Sequence, residues 1–154
     1  MQLWQVLPFV LVIGVFGVSF AMRKKLGAKA AAFYGGGMTA FRERVAEPGA
    51  ICLVATERKM LSSKLFYVAV TPRRVVLEQA GGDTRNFDRG SVQLALKKKT
   101  FADVGNMQTT YSSGWELKIQ LPDGERHKCR VYAEAHGIPD HPAQVQALVS
   151  ALAA

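Results

Sequence analysis

The side chains of this chain best suited to hold a metal or move a proton lie late in it. His127, Cys129, His136 and His141 include all three histidines and one of the two cysteines. Four N and S donors of this kind bind zinc tetrahedrally when a fold brings them together. Their setting argues for something plainer. His127 and Cys129 alternate with Arg126, Lys128 and Arg130, so they share a strand face with Val131 and read as half-buried core. His136 and His141 stand among Gly137, Pro139 and Pro142, a loop composition. No metal and no cofactor is expected.

Catalysis finds no local context either. A nucleophilic serine would announce itself by a G-x-S-x-G elbow, which is missing from the sequence. Gly35-Gly36-Gly37 neither follows a strand nor opens a βαβ unit, so it is not a phosphate cradle. The 12 acids are scattered, with no pair set apart for acid–base work. The chain reads as non-catalytic, with no small-molecule substrate.

The charge is more informative. The net charge is +8, and no acid precedes Glu43. A nucleic-acid footprint needs a dense basic stripe with interleaved aromatics, and the linear sequence shows none, so no nucleic-acid partner is expected. In an antiparallel meander, alternate connections emerge at one end of the sheet. Arg58, Lys59 and Lys64 should therefore share an end with Arg85, while Arg73, Arg74 and Lys97-Lys98-Lys99 gather at the other. Arg73 and Arg74 read as strand-end charges that discourage edge pairing.

These residues need elements to position them, and the first element is Leu3 to Met22, LWQVLPFVLVIGVFGVSFAM, an uncharged run. Twenty helical residues span the hydrocarbon core of a bilayer, roughly 30 Å. A cleaved signal peptide is the rival reading, with Ser19-Phe20-Ala21 as a loose cleavage site. No cation precedes the apolar run, however, and Arg23, Lys24, Lys25 and Lys29 follow it. By the positive-inside rule those four hold the C-terminal flank in the cytoplasm. The expectation is a single-pass inner-membrane protein, its N-terminus outside, with the juxtamembrane cations meeting anionic headgroups. In that compartment Cys52 and Cys129 are two reduced, buried thiols; outside it, they could form a disulfide.

Three parts follow: an anchor over 1–22, a basic connector over 23–47 and a domain over 48–154. Within the connector, Met38, Phe41 and Val45 mark a short amphipathic helix ended by Pro48-Gly49, packed on the domain or lying on the membrane. Strand periodicity begins at Ala50. Ala50–Ala55, Lys64–Val70, Val75–Leu77 and Val92–Leu96 read as strands, with turns at Thr71–Arg74 and Ala80–Asp83. Residues 97–113 read as a long loop holding a short strand. Trp115, Leu117, Ile119 and Leu121 then alternate with Glu116, Lys118 and Gln120, and Leu121–Glu125 turns into a return strand over Arg126–Tyr132. Val145, Leu148, Val149 and Leu152 line one face of a final helix begun near Pro142.

The run Phe66–Leu77, with Thr71-Pro72-Arg73-Arg74 at its turn, resembles a hairpin of bacterial pleckstrin-homology-like (GRAM-like) domains. The Leu117–Val131 hairpin and the final helix are similar to theirs too. That resemblance implies an α+β fold: an N-terminal transmembrane helix, then an antiparallel barrel or sandwich of six or seven strands closed by a C-terminal α-helix. It implies a membrane-anchored binding or scaffold module with a protein partner, either a platform or an accessory subunit of a membrane complex. The alternative it implies is peripheral sensing of anionic lipid, with Arg58, Lys59 and Lys64 at the headgroup.

Overall fold

The computed structural model describes Ala21, residues 37–80 and residues 82–153. Apart from Ala21, the expected anchor Leu3–Met22 and its flank Arg23, Lys24, Lys25 and Lys29 lie outside the described residues. Among the described residues no helix is long and apolar enough to cross a membrane.

The elements in chain order are α1 (Met38–Val45), β1 (Ile51–Arg58), β2 (Ser63–Val70), β3 (Arg74–Gln79), β4 (Thr84–Asp88), β5 (Gln93–Gly105), β6 (Gln108–Gln120), β7 (Arg126–Val131) and α2 (His141–Ala153). A short 3-10 turn, Arg89–Ser91, links β4 to β5. All seven strands belong to one antiparallel sheet of order β4-β3-β2-β1-β7-β6-β5. The expected sandwich of antiparallel strands with a closing C-terminal helix is therefore present. Its inner faces meet in one cluster: Leu53, Val68 and Val75 from the first half, Leu117 and Val131 from the second, Val145 and Leu148 from α2. Each such side chain contributes about 1.5–3 kcal/mol by leaving water.

The first half is covered on its outer face as well. Cys52 and Val54 of β1, Tyr67 and Ala69 of β2 and Val76 of β3 form a second cluster with Met38, Phe41 and Val45 of α1 and with Ile138. Phe41 stacks on Tyr67 with ring centroids 5.2 Å apart. α1 thus packs on the domain, which begins ten residues before Pro48 in packing terms. Two arginines hold it there. Arg42 donates from one guanidinium nitrogen to both carboxylate oxygens of Asp140, at 2.9 and 2.8 Å. Arg74 donates to Glu47, to the Val45 carbonyl and to Asn86. Arg74 is therefore not an edge guard, because β4 lies outside β3 and Arg74 joins the sheet to the C-terminal end of α1.

β1 meets β7 at the single pair Thr56↔Arg130, leaving upstream N–H groups of β1 without a ladder. Side chains of α2 replace it. The Cys52 N–H donates to Gln144 Oε1 at 3.0 Å and the Val54 N–H donates to His141 Nε2 at 3.1 Å. With Nε2 accepting, the His141 proton sits on Nδ1 and donates to the Ala133 carbonyl at 3.0 Å. Burial pushes the His141 pKa down.

The largest departure from the sequence reading is residues 97–113. β5 and β6 run straight through as a hairpin of two 13-residue strands, paired from Gln93↔Gln120 to Gly105↔Gln108. The two-residue turn puts Asn106 at φ 50° and Met107 at φ 61°, both left-handed, as hairpins of this length favour. The outer half of the hairpin, here called the arm, lacks a hydrophobic alternation because it has no core beneath it. What fixes it is local. Phe101 is buried, edge-on to Tyr132 at 5.8 Å and under the Arg130 guanidinium at 4.5 Å. Gly114 lets the arm cross β7, since a Cβ there would stand 2.7 Å from the Val131 carbonyl oxygen.

Candidate binding face

Cross-strand partners in an antiparallel sheet share a face, so the register says which charges are gathered. Lys97, Glu116, Arg130 and Thr56 form one row across β5, β6, β7 and β1. Lys118 and Lys128 form the next, and Gln120 and Arg126 the one after. Lys99 and Arg58 have the same parity as these rows. The opposite parity carries Leu96, Leu117 and Cys129, and Leu94, Ile119 and His127, which face the core. The outer wall of β5–β6–β7 and the end of β1 is thus strongly basic, with Glu116 and Asp103 as its carboxylates.

Both carboxylates are surrounded by cations. Lys99 approaches Glu116 at 2.9 Å, Lys128 at 3.5 Å and Lys118 at 3.7 Å. The hydrogen bond from Lys99, reinforced by the charges of Lys128 and Lys118, holds the Glu116 carboxyl below its ordinary range. Asp103 pairs with Arg58 and, at 3.0 Å, with Arg130. Lys97, Lys118, Arg126 and Lys128 are exposed. A groove of about 610 Å³ opens on this wall, with Lys118, Arg126 and Lys128 on its sides.

The arm turns its Phe101 and Asp103 side onto this wall and its other side outward. Val104 and Tyr111 lie on that outward side, 81% and 71% exposed, and Met107 at the tip is wholly exposed. β5 is also an edge of the sheet. A second exposed apolar tip, Met60-Leu61, lies in the turn after β1, two residues beyond Arg58.

The headgroup residues expected from the sequence do not converge. Arg58 is on the outer wall, engaged with Asp103. Lys59 is in an exposed turn, its N–H donating to the Ser62 carbonyl. Lys64 pairs in register with Glu57 and has the parity of Phe66, so it faces the mouth of the sandwich, half-buried. The β1–β2 and β3–β4 connections do share that mouth, and Arg85 reaches across it to Glu125 at 2.8 Å and Asp123 at 3.4 Å. Lys97-Lys98-Lys99 are not at the far end, as expected, but lie within β5.

The zinc-type side chains are likewise apart. His127 faces the mouth between Glu57 at 3.3 Å and Glu125 at 3.0 Å, Cys129 lies in the inner cluster, His136 is exposed and His141 caps β1. Among the described residues no three His, Cys, Asp or Glu side chains are grouped to hold a metal. Both thiols are free and buried, Cys52 in the outer cluster and Cys129 in the inner one. Burial, with the nearby Glu57 charge, pushes the Cys129 thiol up to about 12, which removes it as a nucleophile. The chain matches no family model, no curated protein and no solved structure.

Proposed function

We propose that this chain is a non-catalytic binding module of pleckstrin-homology-like type, tethered to the inner membrane by Leu3–Met22 and presenting its domain to a protein partner in the cytoplasm. The carrying observation is the arm. The edge strand β5 gives a partner backbone hydrogen bonds by strand addition, with Val104 of β5, Met107 of the turn and Tyr111 of β6 exposed beside it for apolar contact. The strand order, with the closing helix directly after the seventh strand, supports the pleckstrin-homology-like comparison. The groups suited to chemistry are engaged elsewhere: His141 and Gln144 complete β1, and Cys52 and Cys129 are packed. Tethering adds effective concentration for partners at the same membrane without any new contact.

A photo-crosslinking residue in place of Tyr111, in intact membranes, tests this. The expected result is one discrete adduct with a second protein, absent when the probe replaces Asn86 on the opposite edge strand. No adduct at Tyr111, or the same adducts from both positions, removes the reading. Alkaline extraction tests the tether separately: the full chain should stay with the bilayer, and its release would remove the anchor.

A further inference from the structure

We infer that the outer wall of β5–β6–β7 is a docking surface for an anionic bilayer, so that the domain lies against its own membrane by that wall. The inference rests on the tethered reading and concerns a different surface from the arm. It also differs from the headgroup site expected from Arg58, Lys59 and Lys64 at the first-loop end of the sheet: its cations are Lys97, Lys118, Arg126 and Lys128, on the outside of the wall.

Charge complementarity selects the occupant. The carboxylates of this wall are already matched, Glu116 by three lysines and Asp103 by two arginines, so the remaining field is positive and faces solvent. Basic side chains near a membrane gain from the negative surface potential of the cytoplasmic leaflet, an attraction that fades within a Debye length. At the border of the wall, Met60 and Leu61 are fully exposed in a turn begun by Arg58 and Lys59. Apolar side chains flanked by cations suit a headgroup–acyl boundary, where each part meets its preferred medium. A nucleic acid answers the charge but leaves Met60 and Leu61 in water, and an acidic protein would need an apolar patch placed to meet them, whereas an anionic bilayer supplies both parts by its nature.

The tether permits this pose. The 14 residues from 23 to 36 span at most about 50 Å when extended, at roughly 3.3–3.6 Å per residue. A domain of about 100 residues has a radius of gyration near 13 Å, so any of its faces is within reach of the bilayer.

Lysine acetylation of the full chain in nanodiscs tests the pose, comparing phosphatidylcholine alone with phosphatidylcholine mixed with phosphatidylglycerol. Expected is a several-fold protection of Lys97, Lys118 and Lys128 in the anionic discs, reversed by high salt. Lys98, of opposite parity on β5, should react alike in both and serves as the internal reference. A double variant, Lys118→Glu with Lys128→Glu, should lose the protection of Lys97. Thermal unfolding of that variant near the parent's value shows that the loss is not misfolding. Equal reactivity in the two discs overturns the inference, as does protection that ignores lipid charge or appears only with an acidic protein added. Failure of the chain to incorporate into either disc instead overturns the anchor, and the inference with it.

Discussion

The two halves of this sheet are treated differently by the rest of the chain. Strands β1 to β3 are covered on both faces, inside by the common core and α2, outside by α1 and Ile138. Strands β5 to β7 are covered on the inside, while their outer wall stays open and basic. The first half therefore reads as near-continuous apolar runs such as Cys52–Ala55 and Phe66–Val70, and the second as alternation. A surface still free to bind is one that the fold did not need, and here that is the second half and its arm.

The comparison breaks most severely if the cover of the first half is removed. Phe41→Ala takes a fully buried ring off Tyr67 and should cost about 3–5 kcal/mol. Urea unfolding should show a lower midpoint with an unchanged slope. A loss below about 1 kcal/mol would mean that α1 is an accessory rather than part of the domain. The next effect lies where the second half bends. Gly114→Ala drives a Cβ into the Val131 carbonyl and should cost about 1–3 kcal/mol by the same measurement. Gly105→Ala, with open space around its Cβ position, is the control and should be near neutral.

How much of this was legible beforehand follows the same division. The strands β1, β2 and β3 carry apolar runs because both their faces are buried, and the β6–β7 hairpin and α2 carry periodic apolar residues because each turns one face to the core. The arm carries none, because Lys97 to Ser113 is held by pairing, one buried Phe101 and a left-handed turn at Asn106-Met107. Periodicity has nothing to report there. Half of the basic wall was readable, as Lys118 and then Arg126, Lys128 and Arg130 alternate with core residues. The part from β5 was not, since reading Lys97–Lys99 as loop residues hid their register. His141 was hidden for another reason: its role is to complete a strand 87 residues away, and no local pattern records that.

A smaller effect sharpens the contrast through pH. Protonating His141 destroys the acceptor that takes the Val54 N–H, so burial favours the neutral ring and lowers its folded pKa. The unfolded chain, with an ordinary value of about 6.5, then takes up the proton first. Stability from neutral His141 is present in full above that value and is lost as pH falls from it toward the depressed folded one. Asp140 beside it, held below its ordinary range by Arg42, titrates in a more acidic window. Melting temperature should therefore decline below about pH 6.5. His141→Gln should start lower and flatten that decline. A variant as steep as the parent would assign the dependence to another group.

The smallest effect on stability belongs to the open wall. Lys97→Ala and Arg126→Ala remove exposed charges, the first opposite Glu116, which Lys99, Lys118 and Lys128 already approach, and the second opposite Gln120. Surface substitutions of this kind stay within about 0.5 kcal/mol. The same change in β3 behaves otherwise. Arg74→Ala removes the donor shared by Glu47, the Val45 carbonyl and Asn86, which ties the sheet to the end of α1, and should lower the urea midpoint measurably. Paired denaturation curves for Lys97→Ala and Arg74→Ala therefore measure the asymmetry directly. A basic residue that costs nothing to remove is not there for the fold, and equal costs at the two positions would make the wall one more structural surface.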